Sequence, residues 1–129
     1  MNTDIVYNKQ NVFAVAGASN DKNKYGYRVY KMLKNNGVTV YPVNPNRDTV
    51  DDDKAFPDIN SLPELPDVLS IVTPPQVSFQ IVSQAIKRGV KNIWLQPGAW
   101  DEKTVALFKK QPEVNGIYGK CILIENQFE

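Results

Sequence analysis

The sequence predicts a doubly wound α/β domain in which about five parallel strands carry helices on both faces. Two observations lead there first. Short apolar or β-branched runs alternate along the chain with stretches whose apolar residues recur at helical spacing. The earliest run, Val12-Phe13-Ala14-Val15-Ala16-Gly17, is apolar throughout and ends in Gly, as a strand buried on both faces would. A third observation sets the scale. The 129 residues contain no repeat, low-complexity tract or linker, so one domain, 1–129, is expected. Such a chain buries roughly two-thirds of its unfolded surface.

Taken in order, residues 12–17 form the first strand. Tyr30, Leu33 and Gly37 then recur at helical spacing, which predicts a helix over 25–36 with Gly37 at its stop. Residues 38–43 are β-branched and aromatic and read as the second strand, with Pro42 at its end or on an edge. The stretch 44–66 carries prolines at 45, 57, 63 and 66. It is expected to cross an edge of the sheet with only a short helical turn near Ser61. Residues 68–73 make the third strand, which Pro74-Pro75 ends while opening a helix over 75–88. Phe79, Val82 and Ile86 should form its inner face, with Lys87 and Arg88 in the last turn and Gly89 as the stop. Residues 92–95 are the fourth strand. Asp101 reads as the cap of a further helix, with Trp100 and Val105 placed as a hydrophobic staple. A fifth strand near 115–118 and a short element over 121–124 complete the chain. The expected strand order is 3-2-1-4-5. Ligands of such sheets bind beyond the carboxyl ends of the strands, here after Gly17, Val43, Thr73 and Leu95.

Composition excludes several functions. Lys and Arg number 15 against 14 acids, so no net field marks a nucleic-acid or acidic-membrane binder, and any bound anion must be held locally. No apolar run approaches the roughly 20 residues that cross a bilayer, and residues 1–10 lack a signal-peptide layout. The single cysteine, Cys121, precludes an internal disulfide and fits a reducing cytoplasm. Histidine is absent, which removes the commonest general base, a common metal ligand and every Ser-His or Cys-His pair.

The first turn, 17–26, opens with a Gly and two small residues and reaches a second Gly at the helix start. Small residues let a phosphate approach the backbone, and the helix N-terminus offers it unpaired N–H groups. Ser19 adds a hydroxyl, and Lys22, Lys24 or Arg28 can neutralise the charge. The spacing departs from G-x-G-x-x-G, since Ser19 stands at the second Gly and the loop is longer. A tight turn beside a solvated lysine face would read the same way. After the second strand, Asn44 stands where an NAD site usually has an acid. Arg47 is placed to meet a phosphate on a ribose, as in NADP or coenzyme A, or is simply exposed. Thr73-Pro74-Pro75 and Gln96-Pro97-Gly98 close the same end of the sheet with rigid backbone, suited to an extended ligand or merely to ending strands.

Together these segments resemble the small coenzyme A-binding protein family, whose domain is similar to the amino-terminal domain of the succinyl-CoA synthetase alpha subunit. The resemblance rests on Val15-Ala16-Gly17-Ala18-Ser19, Tyr25-Gly26-Tyr27-Arg28-Val29, Tyr41-Pro42-Val43-Asn44-Pro45, Val72-Thr73-Pro74-Pro75, Ile93-Trp94-Leu95-Gln96-Pro97-Gly98, and Cys121 followed by Glu125, in order over nearly the whole chain. It implies a Rossmann-like fold that binds coenzyme A. The candidate cofactor-binding residues are Gly17, Ala18, Ser19, Lys24, Tyr25, Arg28, Asn44, Pro45, Arg47, Thr73, Pro74, Pro75, Gln96 and Gly98. One departure limits it: the family commonly has Asp two positions before the Cys, where this chain has Gly119. No shared role of acid and thiol carries over, and Cys121 is expected to be a small buried residue.

The leading expectation is a module that holds coenzyme A or an acyl derivative without transforming it, because acyl chemistry needs a nucleophile and a base. The synthetase's phosphorylated histidine belongs to a further domain, and this chain has none. The alternatives are an NADP-linked oxidoreductase using Arg47, a subunit catalytic only with a protein partner, and a regulatory protein with a vestigial cleft. Fold alone does not choose among them.

Overall fold

The computed structural model describes residues 1–128. Its five parallel strands are β1 (Val12–Ala16), β2 (Thr39–Val43), β5 (Val68–Ile71), β6 (Asn92–Leu95) and β7 (Asn115–Ile117), ordered β2-β1-β5-β6-β7. The helices are α1 (Tyr25–Asn35), α2 (Pro75–Arg88), α3 (Glu102–Lys109) and the single turn α4 (Ile122–Glu125). A two-stranded hairpin, β3 (Thr49–Val50) with β4 (Asp53–Lys54), interrupts the stretch after β2.

The five main strands fall where the apolar runs place them, but their order differs from expectation. Counting only main strands it is 2-1-3-4-5: the third pairs with the first, Ala14 opposite Leu69, instead of lying beyond the second. Two features of the residues explain this. Every residue of β5 is buried, which suits an interior strand, whereas β2 begins exposed and carries Pro42, which has no N–H for a further ladder. The outer side of β2 is met instead by Phe56, whose N–H donates to the Pro42 carbonyl at 3.0 Å and whose carbonyl accepts from Asn44 N–H at 2.9 Å. The winding therefore reverses between β1 and β5.

Two cores cover the sheet. On one face Phe13, Val15, Val29, Tyr30, Leu33, Trp94 and Ile122 join β1 and β6 to α1 and α4. On the other, Ala14, Leu69, Ile71, Val82, Ala85, Ile93 and Phe108 join the sheet to α2 and α3. At about 25 cal/mol per Å² of apolar surface, these layers are the principal stabilisation of the sheet against its chain entropy.

Local expectations mostly hold. Residues Ile59–Ser61 form the short turn near Ser61, and Asp101 caps α3, its Oδ1 accepting from Thr104 N–H at 2.8 Å and from Thr104 Oγ1 at 2.7 Å. Two differ. The inner face of α2 is Ser78, Val82 and Ala85; Ile86 is partly buried and packs against the same core, whereas Phe79 is partly buried beneath Lys103 Nζ, 4.9 Å from the ring centre. Trp100, expected to staple onto Val105, is 37% exposed and lies against Tyr118 with ring centres 5.2 Å apart.

Candidate functional site

The turn that leaves β1 is forced close to its neighbours. Gly17 has φ +91°, and a Cβ there would stand 3.2 Å from the Val72 carbonyl and from Thr73 Cγ2. A Cβ on Gly26, in the first turn of α1, would stand 2.0 Å from the Gly17 carbonyl oxygen. The two glycines thus let helix, turn and the end of β5 touch backbone to backbone. Gly17 N–H donates to the Val43 carbonyl at 3.0 Å, which ties the turn to the end of β2 as well.

The N-terminus of α1 is left open. Its capping position is Lys24, with no side-chain cap bond, and α2 likewise starts from Pro74 without one. By contrast Asp101 caps α3. The first N–H groups of α1 are therefore without side-chain partners and carry the positive end of the helix dipole. Ser19 Oγ accepts from Asp21 N–H at 3.0 Å and keeps its own O–H to donate.

Two adjoining hollows open at this end of the sheet, at the point where the winding reverses. The first, about 440 Å³, is lined by Gly17, Ser19, Lys24, Tyr25, Gly26, Asn44, Asn46, Arg47, Val72, Thr73 and Pro74. The second, about 560 Å³, shares Gly17, Asn44, Asn46, Thr73 and Pro74 with it. It continues between Pro45, Pro57, Asp58 and Ile59 on one side and Val77, Gln80, Ile81 and Gln84 of α2 on the other. Lys24 and Arg47 make the first hollow cationic. The second is more apolar, and 44% of Val77 is exposed there. Asp58, the carboxylate of its lining, accepts from Ser61 N–H at 2.9 Å.

Of the residues singled out from the sequence, Gly17, Ser19, Lys24, Tyr25, Asn44, Pro45, Arg47, Thr73 and Pro74 come together around these hollows. Five do not line them. Ala18 is fully buried, and its carbonyl accepts from Asn44 Nδ2 at 2.8 Å. Arg28 is exposed on α1, and Pro75 is the first residue of α2. Gly98 lies in the exposed loop after β6. Gln96 is fully buried: its side chain points into the core, with Nε2 donating to Ser70 Oγ at 3.0 Å and Oε1 accepting from Ile122 N–H at 2.9 Å. A buried amide must be satisfied, and this one fastens the C-terminal segment to β6. Both ends of its side-chain amide are engaged within the fold.

Cys121 also differs from expectation. It is half-buried, and its Sγ shares a hydrogen bond with the Tyr25 hydroxyl, which donates to Gln96 Oε1 at 3.4 Å. Burial and then the Cys121 contact push the Tyr25 phenol above its ordinary range, so Tyr25 is neutral at pH 7. The residues the sequence reading missed are Asn46, Pro57 to Ile59 and the Val77, Gln80, Ile81, Gln84 face of α2. The latter are spaced three and four apart, a visible helix face, but nothing in the sequence distinguishes a cleft wall from a solvated one. The missing caps at Lys24 and Pro74 were a readable signal of helix ends left open.

No helix among the described residues is long and apolar enough to cross a membrane, and no three of their Cys, Asp or Glu residues are grouped to hold a metal ion. The chain is 37% identical over 91 residues to the alpha subunit of an ADP-forming acetate–CoA ligase II of Pyrococcus furiosus, a match covering 70% of this chain and 20% of that protein. It is 30% identical over 102 residues to an ADP-forming acetate–CoA ligase II of Archaeoglobus fulgidus, covering 78% of this chain and 15% of that one. The chain thus spans a fifth or less of the length of these relatives. Among solved structures, a conserved hypothetical protein from Pyrococcus furiosus is alike in fold and size, with TM-score 0.84 and 36% identity over 90% of this chain and 99% of that one. A family model described as a CoA binding domain matches residues 11–127, a span that takes in both walls of the cleft. The chain therefore belongs to the CoA binding domain family, and coenzyme A is its cofactor.

Proposed function

We propose that the domain, taken as 1–129, holds coenzyme A or an acyl-coenzyme A in the paired hollows and does not transform it unaided. The observation that carries this is the open N-terminus of α1 beside Ser19, Lys24 and Arg47, a cradle for a pyrophosphate and for a phosphate on the ribose. Thr73, Pro74 and Pro45 give a main-chain wall for the rest of the molecule, and the apolar hollow beside Val77 and Ile81 receives its uncharged part.

The absence of a paired base supports binding without chemistry. Tyr25 is held neutral, and Asp58 is engaged through Oδ1 as the cap of residues 59–61. The acetate–CoA ligases to which the chain is similar carry most of their length outside the matched segment. Any catalysis involving this domain accordingly needs groups from elsewhere, such as a partner subunit. The test is mass spectrometry of small molecules released when gently purified protein is denatured, followed by calorimetric titration with what is found. Coenzyme A or its thioester is the expected species. Recovery of NADP, with no heat on adding coenzyme A, would instead favour the oxidoreductase reading through Arg47.

A further inference from the structure

We infer that Asn44 and Asn20 are positioning residues whose carboxamides clamp the turn after β1 from two sides, so that the phosphate cradle is already shaped before ligand arrives. The inference rests on the coenzyme A reading above and deepens it by naming what holds that site in form. Asn44 Nδ2 donates to the Ala18 carbonyl at 2.8 Å while its Oδ1 accepts from Asn46 N–H at 2.8 Å. Asn20 Nδ2 donates to the Thr49 carbonyl at 2.9 Å while its Oδ1 accepts from Asp51 N–H at 2.8 Å. Each side chain therefore joins the turn to the segment following β2 by satisfying one carbonyl and one N–H together.

A carboxamide can do this and a carboxylate cannot, because an ionised acid has no proton to give. At position 44 an acid would also set its charge against the carbonyl of Ala18, a fully buried residue. The Asn that stands where a dinucleotide site carries an acid is thus required by the turn itself, whatever the ligand's ribose bears. Arg47 follows that Asn44-to-Asn46 turn directly and lines the same hollow.

The test is calorimetric titration of the wild type, Asn44→Ala and Asn44→Asp with coenzyme A and with dephospho-coenzyme A between pH 4 and 7. Each variant is expressed as a ratio to wild type at the same pH. At pH 7 both variants are expected to weaken both ligands by a similar factor, about five- to twentyfold. As pH falls toward the carboxyl range the factor for Asn44→Asp is expected to shrink, since the protonated acid can again donate to Ala18, while that for Asn44→Ala stays flat. A penalty confined to coenzyme A overturns the clamp, for Asn44 would then face the ribose phosphate. Wild-type affinity in Asn44→Ala overturns it too. If the wild type binds neither ligand, the coenzyme A reading fails by itself, and the clamp is decided by amide exchange in the unliganded protein. Faster exchange at Asn46 in Asn44→Ala, and at Asp51 in Asn20→Ala, sustains it; unchanged exchange ends it.

Discussion

At the scale of single residues, Ser19 combines two tasks: its oxygen accepts from Asp21 N–H, and its proton is available to a phosphate. Ser19→Ala is expected to weaken coenzyme A binding by roughly 1–3 kcal/mol, the value of a hydrogen bond to a charged group. Cys121→Ser should leave affinity nearly unchanged, because a serine hydroxyl can still meet Tyr25. Calorimetry on both variants checks the pair, and a larger loss from the cysteine change would move the site away from the turn. Gly26→Ala is more severe. Its Cβ would enter the space of the Gly17 carbonyl, and that carbonyl belongs to backbone that cannot yield without moving the turn. A loss of about 1–3 kcal/mol of stability is expected, together with loss of binding, read by thermal melting and titration. Unaltered binding would show that the contact between α1 and the turn is dispensable. That Gly17 and Ser19 share a turn at the mouth of a strand was legible from their small size, and Asn44 drew notice as a neutral residue where a dinucleotide site carries an acid; that all three line one hollow follows from the strand order. Gln96 was not legible. It also follows a strand, but whether an amide there turns outward or inward depends on Ser70 and Ile122, which are 26 residues away on either side.

Among the elements, the hairpin β3–β4 shows how a long connection is tied back to the turn beside the site. Lys34 Nζ reaches Asp51 at 2.9 Å and Asp53 at 2.8 Å, Lys31 Nζ also reaches Asp51 at 2.9 Å, and the Tyr30 hydroxyl donates to Asp53 at 2.6 Å. These contacts fasten the hairpin to α1, while Asn20 fastens it to the phosphate turn. The lysines, with Tyr30 for Asp53, hold both carboxyls below their usual 3.8. A depressed folded-state pKa means stability that is complete above the unfolded value and is lost as pH falls below about 4 toward the folded value. Thermal melting between pH 5 and 2.5 should therefore fall more steeply in the wild type than in Lys34→Met, and 0.5 M salt should reduce the difference because the pairs are partly exposed. Parallel curves would mean that the Lys34 ion pairs contribute nothing measurable. The hairpin escaped sequence reading because its strands have two residues each and its turn uses Asp51 and Asp52 at positive φ, where Asn-Gly would have been the plain signal. The main helices were legible from spacing and stops, although Phe79, expected on the inner face of α2, lies beneath Lys103 instead.

For the whole molecule, the alternation of runs was enough to give a parallel sheet with both faces covered, but not its order. The expected order placed the third strand outside the second, which would have hidden β2 and needed a ladder donor where Pro42 has none. Pairing β5 with β1 brings the ends of β1, β2 and β5 around one crevice. The same reversal sets Arg47 and Lys24 on one side of Thr73-Pro74 and the apolar wall of α2 on the other. A ligand that fills both hollows must then be charged at one part and largely uncharged at another, as coenzyme A is with its phosphates and its pantetheine arm. NAD offers a pyrophosphate but no further phosphate on its ribose, and it would look for a carboxylate that Asn44 does not supply. ATP offers phosphates and no long uncharged arm. Coenzyme A at 100 times its dissociation constant is accordingly expected to stabilise the fold by about 2.7 kcal/mol. For a chain of this length each kcal/mol raises the melting temperature by about 3–5 °C, so the shift is well within the reach of a thermal scan. NAD and ATP at the same concentration should raise it less, and dephospho-coenzyme A should fall between if Arg47 meets the ribose phosphate. Equal shifts for coenzyme A and its dephospho form would remove Arg47 from that role while leaving the turn in place, whereas an equal or larger shift with NAD would reverse the ranking of the ligands altogether.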